Sequence, residues 1–265
     1  MLTDTLESEY LARIQIALKT AHDAIKQFAP GTFAVKDNGG RDVITQVDRA
    51  VSDVLRTALL KEDEGWLSEE DVDDLGRLSK QVVWVVDPLD GTREFVDGIP
   101  EWCISVGLVL DGTAVAGGVC NPATNELFLG SVKSGVMYNG RPAQPSQRKD
   151  LNGAVVLASR QEYKRGEWEQ FEGKLFSIKP TGSVAYKLAL VSAGLADATW
   201  TLSPKHEWDV AAGVALVSSA GGTVACIRDG GLQFNQPNTL LPGLVASGTG
   251  IWQSVSRIVD EALVG

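Results

Sequence analysis

Two aspartates three residues apart are the first candidates for chemistry in this chain. Asp87 and Asp90 lie in the sequence DPLDGT, directly after the apolar run Val82–Val86. Such a run of mostly β-branched residues predicts a short strand that is buried on both faces. Pro88 cannot donate a hydrogen bond to a neighbouring strand, and it restricts the residue before it to extended backbone. We therefore expect strand pairing to end at this point, with both carboxylates near the carboxyl end of the strand.

The residues that follow are suited to binding an anion. Gly91 and Thr92 offer backbone N–H groups and a hydroxyl within two residues of Asp90. In α/β sheets, ligands bind at the carboxyl ends of the strands. Carboxylates for a cation beside donors for an anion indicate a metal-assisted phosphate site. The alternative is an ordinary turn between two core strands, which Asp-Pro and Asp-Gly also favour.

Further carboxylates occur in patterned positions elsewhere in the chain. Glu69 and Glu70 end a short apolar run, and Asp209 lies where a helix is predicted to begin. Asp48 is predicted in the first turn of a second helix with Thr45 as its N-cap. A carboxylate is stabilised there by the helix dipole without any catalytic role. The functional interpretation places Asp48 at the site, where it would polarise a hydroxyl, whereas two adjacent glutamates are by default a solvated surface pair.

The length, charge and cysteine content of the chain restrict which classes of protein it can belong to. The 265 residues suit one large domain or two compact subdomains. A net charge of −10 argues against nucleic acid or an anionic membrane as the main partner. The chain shows no signal peptide and no apolar stretch of about 18 residues, so we expect a cytoplasmic protein. Three cysteines without a C-x-x-C pair are predicted to be buried free thiols, namely Cys103, Cys120 and Cys226.

Hydrophobic periodicity predicts the elements that must position these side chains. Apolar residues at three- and four-residue steps predict a helix over residues 4–28, with a capping box from Asp4 to Glu7. A second helix is predicted to turn Val47, Val51, Leu55 and Leu59 inward. Short apolar runs over residues 104–137 predict an antiparallel meander, with a hairpin at Asp111-Gly112.

The second half of the chain alternates strands and helices. A strand is predicted at residues 154–158 and helices at 161–171, 184–194 and 251–263. Ser183 would open the second of these, whose N–H groups could receive a phosphate. A further helix is predicted to begin at Trp208 and to end at Gly221-Gly222. The polar segment Pro142–Asp150 is the best candidate for a domain boundary.

Taken together, these motifs resemble the inositol monophosphatase superfamily. LSEE (Leu67–Glu70), DPLDGTREF (Asp87–Phe95), GSVA (Gly182–Ala185) and WDVAAG (Trp208–Gly213) occur in that family's order, as does the Thr45-x-x-Asp48 pair. The resemblance implies a layered αβαβα sandwich of mixed α+β and α/β class. An N-terminal α+β part with an antiparallel sheet (residues 1–148) would carry most metal ligands, and a C-terminal α/β part (residues 149–265) would complete the site.

The resemblance also implies a lithium-sensitive, magnesium-dependent phosphomonoesterase and a role for each site residue. The ligands of two or three Mg²⁺ ions would be Glu69, Asp87, Asp90, Asp209 and the backbone carbonyl of Leu89. The catalytic residues would be Glu69, with Asp48 and Thr92 orienting the attacking water. The residues in contact with substrate would be Asp90, Gly91, Thr92, Ser183 and Asp209. Four carboxylates in one crevice repel each other unless cations neutralise them, so this assignment is physically coherent. The expected partner is a small phosphate ester, and a homodimer is the expected assembly.

The substrate is predicted from finer features. DGTREF resembles the 3′(2′),5′-bisphosphate nucleotidases of the CysQ type, which would convert adenosine 3′,5′-bisphosphate to AMP and phosphate. Leu202 stands where the inositol enzymes place a glutamate on the ring hydroxyls, and an apolar wall there would suit adenine. The segment Phe95–Pro100 is instead typical of the inositol branch, so an inositol-1-monophosphatase or a broad sugar phosphatase is the alternative. Lys205 or Arg93 could bind a second phosphate, although a solvated side chain is the plainer interpretation. A non-catalytic binding protein of this fold ranks last, because all four metal carboxylates are present.

Overall fold

The computed structural model describes residues 3–28, 30–31, 39–228 and 231–264. The helices in this part of the chain are α1 Asp4–Ile25, α2 Gly39–Leu59, α3 Thr92–Val96, α4 Arg160–Lys164, α5 Val184–Ser192, α6 Glu207–Ser219 and α7 Trp252–Val264. The strands are β1 Gly65–Ser68, β2 Val82–Asp90, β3 Cys103–Leu110, β4 Thr113–Asn121, β5 Glu126–Ser131, β6 Gly135–Tyr138, β7 Arg141–Ala143, β8 Val155–Ser159, β9 Ser177–Thr181, β10 Ala198–Thr201, β11 Lys205–His206, β12 Thr223–Cys226, β13 Leu240–Leu241 and β14 Leu244–Ser247.

The first half of the chain builds a seven-stranded sheet in the order β1 to β7. Strands β1 and β2 are parallel, and every later neighbour is antiparallel. The β3–β4 hairpin turns at Asp111 and Gly112, both with positive φ (49° and 77°), as the tight hairpin turns require. The predicted meander is confirmed.

The second half forms a five-stranded mixed sheet in the order β12-β14-β10-β8-β9. Helices α1 and α2 cover one face of the first sheet, and α5 and α6 lie between the two sheets. Helix α7 packs against the outer face of the second sheet. The layers therefore follow the predicted αβαβα order. The chain passes from one sheet to the other between Ala143 and Val155, and the division into subdomains near residue 148 stays a prediction.

Several predicted boundaries are wrong for local reasons. Helix α1 is capped by Thr3, whose hydroxyl accepts the N–H of Leu6, so the capping box at Asp4 and Glu7 does not form. Helix α2 begins at Gly39 rather than near Thr45. Asp48 therefore lies in the third turn of α2, outside the reach of the dipole at the helix start. Its inward face is as predicted, because Val47, Val51, Leu55 and Leu59 are at most 1% exposed.

The predicted helix over residues 161–171 is interrupted. Helix α4 ends at Lys164, and a separate 3₁₀ turn covers Glu169–Phe171. Gly166 lies between them with φ +80°, a conformation that no helix interior adopts. Among the described residues, no helix is long and apolar enough to cross a lipid bilayer.

Helix α6 lies unusually close to the first sheet, and glycines in the strands make this contact. A Cβ atom on Gly117 of β4 would lie 2.6 Å from the carbonyl oxygen of Ala212, and one on Gly107 of β3 would lie 2.9 Å from the Ala211 Cβ. Because these neighbours are backbone or rigid side-chain atoms, neither can move without shifting the helix. The closeness of α6 to the sheet thus depends on two positions without side chains.

We expect Gly117→Ala to lower the free energy of unfolding by about 1–3 kcal/mol, since the added methyl group overpacks the contact with α6. The control is Gly231→Ala, because a Cβ atom there meets open space. Urea unfolding followed by circular dichroism measures both variants. Equal unfolding midpoints for Gly117→Ala and the wild type would show that the helix is not held by this contact.

Candidate metal and phosphate site

Three carboxylates from three elements meet beside the first sheet. Glu69 directly follows β1, Asp87 belongs to β2, and Asp209 lies in the first turn of α6. Each offers one carboxylate oxygen, and these oxygens all lie within 4.8 Å of one another. Asp87 is 1% exposed, whereas Glu69 lies at the solvent-exposed edge of the group. The structure thus brings together three of the four predicted metal carboxylates at distances that one ion can bridge.

A β-bulge in β2 positions the fourth carboxylate. Asp87 pairs with Ser105 of β3, and the next pair is Asp90 with Cys103, so three residues of β2 advance against two of β3. Residues three apart in a regular strand point to opposite faces, and the extra residue of a bulge changes this alternation. Pairing therefore resumes after Pro88, and the prediction that it ends there is wrong. The missing N–H of the proline falls within the bulge, where no ladder bond is needed.

Asp90 is bound by the start of α5. Its Oδ2 atom accepts hydrogen bonds from the Ser183 hydroxyl (2.6 Å) and the Ala185 N–H (2.7 Å). The Ser183 oxygen in turn accepts the N–H of Tyr186 at 2.9 Å. The positive end of the helix therefore stabilises a carboxylate of the protein. The N–H groups of Ala185 and Tyr186, predicted to receive a phosphate, are already occupied.

The turn after Asp90 is set by glycine and threonine. Gly91 has φ +95°, and a Cβ atom there would lie 3.0 Å from the Glu101 carbonyl oxygen. The Thr92 hydroxyl donates to the Leu89 carbonyl at 3.1 Å, and the Leu89 N–H donates to Asp87 Oδ1 at 2.9 Å. Since a carbonyl oxygen has two lone pairs, the Leu89 carbonyl can accept this hydrogen bond and still bind a metal ion, so its predicted role as a ligand is compatible with the geometry.

Burial and mutual repulsion shift the pKa values of these acids upward. Burial raises the pKa of Asp48 to about 8, with the charges of Glu70 and Glu69 adding to the shift. Loss of hydration, with repulsion from Asp90, raises the pKa of both Glu69 and Asp209 to about 7. Burial and the neighbouring Asp90 carboxylate raise the pKa of Asp87 well above its usual range. The cluster thus holds more negative charge than the protein alone neutralises.

The donor set fits a divalent cation of the hard type. All candidate ligands are carboxylate or carbonyl oxygens, which suit Mg²⁺, Mn²⁺ or Ca²⁺ better than zinc or copper. A cation would also reverse the upward pKa shifts, because it favours the ionised acids. The residues present therefore fit the expected magnesium site, with Glu69, Asp87, Asp90, Asp209 and the Leu89 carbonyl as its candidate ligands.

A pocket of about 320 Å³ opens beside this cluster. Asp90, Gly91, Thr92, Ser183 and Asp209 all line it, so the predicted substrate-binding residues share one cavity. Four basic residues also line this pocket, and we call them the basic group of the pocket: Arg93, Arg160, Lys187 and Lys205.

The predictions for Asp48 and Leu202 have different outcomes. The charges of Glu70 and Glu69 act on Asp48 and add to its raised pKa, and its role in orienting the attacking water stays a prediction. Leu202 does not line the pocket but packs against the hydrophobic cluster of Trp168 and Trp200. The apolar wall predicted at Leu202 is therefore not present.

Sequence reasoning missed the buried charged residues around the site. Lys187 is 2% exposed, and it lines the pocket from α5. Its position four residues after Ser183 on a predicted helix would have placed both on one face. Arg77 (3% exposed) and Glu207 (0% exposed) were not predicted as buried residues either. The i, i+4 spacing of Asp73 and Arg77 was the available signal.

A layered α/β fold that gathers carboxylates beside an anion-binding turn defines a class of metal-dependent phosphatases. The sequence profile described as the inositol monophosphatase family matches residues 6–260. An inositol monophosphatase of Mesembryanthemum crystallinum is 32% identical over 230 residues, which cover 82% of this chain and 85% of the relative. A fructose-1,6-bisphosphatase/inositol-1-monophosphatase of Thermotoga maritima is 30% identical over 255 residues, with coverage of 94% and 95%.

Among solved structures, CysQ from Bacteroides thetaiotaomicron superposes with a TM-score of 0.76 over 90% of this chain and 96% of that chain. Its sequence identity of 24% shows the shared fold alone. The profile match and the two relatives show more: the chain belongs to the inositol monophosphatase family. Members of this family hydrolyse phosphomonoesters, so the predictions of superfamily, fold class and enzyme class are confirmed.

We expect Asp90→Asn to reduce Mg²⁺-dependent phosphate release by several orders of magnitude, because the amide lacks the charge that binds the cation. The amide oxygen can still accept the hydrogen bonds from Ser183 and Ala185, so the fold should be retained. Asp97→Asn, which changes an exposed carboxylate seven residues further on, is the matched control. Near-normal turnover in Asp90→Asn would contradict the ligand assignment.

The raised pKa values also predict a pH dependence of stability. Between about pH 4 and pH 8 the folded protein without metal binds more protons than the unfolded chain, because Asp48, Glu69 and Asp209 have pKa values of about 8, 7 and 7. The contribution of these three acids to the free energy of unfolding is complete below about pH 4, and it is lost as the pH rises through 7 to 8.

Calorimetry in EDTA should therefore show a Tm that falls as the pH is raised from about 5 to about 8. Saturating Mg²⁺ should remove most of this fall, since a cation stabilises the ionised acids. The lowered pKa values of Glu64 and Asp73 place their titration below this range, and Lys187, with a pKa lowered to about 8, opposes the fall only above it. Burial lowers the pKa of His22 and His206, which opposes part of the fall within the range. A Tm in EDTA that is constant or rises over this range would contradict the assignment.

Proposed function

We propose that the protein is a magnesium-dependent phosphomonoesterase whose substrate carries a second phosphate. The specific activity proposed is that of a 3′(2′),5′-bisphosphate nucleotidase, which hydrolyses adenosine 3′,5′-bisphosphate to AMP and phosphate. The single observation that supports this proposal is the basic group of the pocket. Arg93, Arg160, Lys187 and Lys205 share the cavity with Asp90 and Asp209.

Two of these basic residues already have carboxylate partners. Arg160 hydrogen-bonds Glu101 and the Pro180 carbonyl, and Lys205 lies 3.8 Å from Glu162. Their charges are thus largely balanced within the protein and contribute less to binding a ligand.

The other two lack such partners in the part of the chain that the structure describes. Arg93 donates to the neutral amide of Gln161 at 3.1 Å, and Lys187 has a single long hydrogen bond to the Thr181 carbonyl at 3.5 Å. Burial lowers the pKa of Lys187 to about 8, a shift that the Asp90 charge partly opposes. A buried cation without a close carboxylate is costly, and a phosphate group would offset that cost. Arg93 is exposed at the same pocket, so we assign it together with Lys187 to a second phosphate group of the substrate.

In the proposed reaction, a water oxygen bonds to phosphorus and the bond from phosphorus to the ester oxygen breaks, so that the product leaves as an alcohol. Bound divalent ions would lower the pKa of the attacking water and neutralise the phosphate. We assign Asp48 and Thr92 to the orientation of this water, together with Glu69. The Thr92 hydroxyl proton is held by the Leu89 carbonyl, which leaves the Thr92 oxygen as an acceptor. We assign Gly91 and Thr92 to binding of the phosphate. Ser183 contributes indirectly, because its hydroxyl donates a hydrogen bond to Asp90.

A phosphate-release panel with Mg²⁺ tests the proposal directly. We expect kcat/KM for adenosine 3′,5′-bisphosphate to exceed that for inositol 1-phosphate by at least about tenfold, or about 1.4 kcal/mol. AMP, which carries only the 5′-phosphate, is the matched control and should be a poor substrate. An equal or reversed preference would reject the nucleotidase. A parallel series with lithium tests the expected inhibition.

A separate prediction about substrate specificity follows from the basic group of the pocket. We expect Arg93→Gln and Lys187→Met to raise KM for the bisphosphate by about tenfold each while changing KM for a monophosphate by less than about threefold. Lys179→Met, which removes an exposed lysine of the neighbouring strand β9, is the control. If both substrates lose affinity equally, the two cations do not distinguish a second phosphate.

An inositol or broad sugar phosphatase is the second candidate, and the names of the relatives favour it. The relatives at 30–32% identity are called inositol monophosphatase and fructose-1,6-bisphosphatase/inositol-1-monophosphatase. The second name includes a sugar with two phosphates, which the basic pocket would also suit. Fructose 1,6-bisphosphate therefore belongs in the same panel. The number of metal ions, the homodimer and the cytoplasmic location stay predictions.

A further inference from the structure

A buried arginine lies close in sequence to the metal ligand Glu69. Arg77 belongs to the 3₁₀ turn Gly76–Ser79 and is 3% exposed, although the segment around it is acidic. Its guanidinium binds both carboxylate oxygens of Asp73, with contacts of 3.1, 3.1 and 2.7 Å. The Asp73 and Asp74 side chains also accept the N–H groups of Leu75 and Gly76. The segment after Glu69 is therefore a rigid turn rather than a solvated connection.

The same guanidinium reaches a distant part of the chain. Its Nη1 atom donates to Asn235 Oδ1 at 2.8 Å, and its Nη2 atom donates to the Gln236 carbonyl at 2.9 Å. The Asn235 amide returns a hydrogen bond to the Arg77 carbonyl at 3.1 Å. Three hydrogen bonds thus join the turn after Glu69 to the dipeptide Asn235-Gln236.

Glu207 holds that dipeptide from the other side. It is the first residue of α6 and is fully buried. Its two carboxylate oxygens accept the N–H groups of Asn235 at 2.7 Å and Gln236 at 2.9 Å. The Arg77 guanidinium therefore donates to oxygens of Asn235 and Gln236. The Glu207 carboxylate accepts the backbone N–H groups of the same two residues.

We infer that Arg77 and Glu207 are positioning residues that fix Glu69 relative to Asp209 by gripping the dipeptide Asn235-Gln236. Glu207 lies two residues before Asp209 in α6, and Arg77 packs on the strand that leads to Glu69. A Cβ atom on Gly65, the first residue of β1, would lie 3.0 Å from the Arg77 Cβ, so the two backbones touch. This inference rests on the metal site of the proposed function and is independent of the substrate.

We call the hydrogen bonds of Arg77 and Glu207 to Asn235-Gln236 the tether. The tether matters for Glu69 because Glu69 is the exposed member of a group of like charges. Repulsion from Asp90 and Glu70 favours a conformation in which Glu69 turns into solvent. A ligand held in place before the ion arrives loses less conformational freedom on binding, so the ion binds more tightly. Loss of the tether should therefore weaken metal binding more than it changes substrate affinity at saturating metal.

The experiment measures binding of Mn²⁺ alone by isothermal titration calorimetry, with Tm recorded for every variant. We expect Arg77→Met to raise the Kd for Mn²⁺ by about tenfold and Arg77→Lys, which keeps the charge without the planar fork, to restore part of the loss. KM for the phosphate ester at saturating Mg²⁺ should stay within about twofold of the wild type.

The control for a merely structural effect is Asp197→Asn. Asp197 is a buried carboxylate that accepts the Val155 N–H at 2.7 Å in the second sheet, away from the metal ligands. Its substitution should lower Tm and leave Mn²⁺ affinity unchanged. An Arg77→Met protein with wild-type Mn²⁺ affinity would overturn the inference, as would equal weakening in Asp197→Asn.

A second variant covers the case in which Arg77→Met does not fold. Asn235 has φ +58°, a conformation that glycine adopts readily. Asn235→Gly keeps the N–H bound by Glu207 and removes only the side-chain bonds to Arg77, so it should also raise the Kd for Mn²⁺. Failure of the wild type itself to bind Mn²⁺ would instead reject the proposed metal site.

Discussion

Repulsion among carboxylates that the fold forces together is the constraint on which this structure depends. Three of the four acids in the cluster are stabilised by hydrogen-bond donors from their own surroundings. The Leu89 N–H donates to Asp87, and the Ala185 N–H at the start of α5 donates to Asp90. The His206 N–H donates to Asp209 at 2.8 Å. These bonds offset part of the repulsion, and the upward pKa shifts show that part of it remains. The site is therefore built to be completed by a cation.

The parts of the fold that follow from local patterns could be predicted from the sequence. The meander was visible because Asp111-Gly112 separates two apolar runs, and the inward face of α2 because its apolar residues repeat every four positions. The start of α2 was missed because Thr45, a good N-cap residue, stands inside a longer helix. The bulge in β2 was missed because proline signals a break in pairing but does not show whether pairing resumes.

The site was predictable to the extent that its residues lie in short motifs. Glu69, Asp87 and Asp209 were found from such motifs and do meet. Contacts between distant segments were not visible, because no local pattern relates Arg77 to Asn235 or Lys187 to Arg93. The sequence argument from Leu202 failed for the same reason, since packing of that residue against Trp200 is decided by the second sheet.

The close contact of α6 with the strand glycines has an evolutionary consequence. Since Gly107 and Gly117 place helix backbone against the sheet, any larger residue at either position displaces the helix that carries Asp209. The wall of the pocket formed by Arg93, Gln161 and Lys187 belongs to short helices and side chains that touch neither glycine. Substitutions of these residues can alter the charge and shape of the pocket without displacing α6, so this part of the site can evolve separately from the helix that carries Asp209.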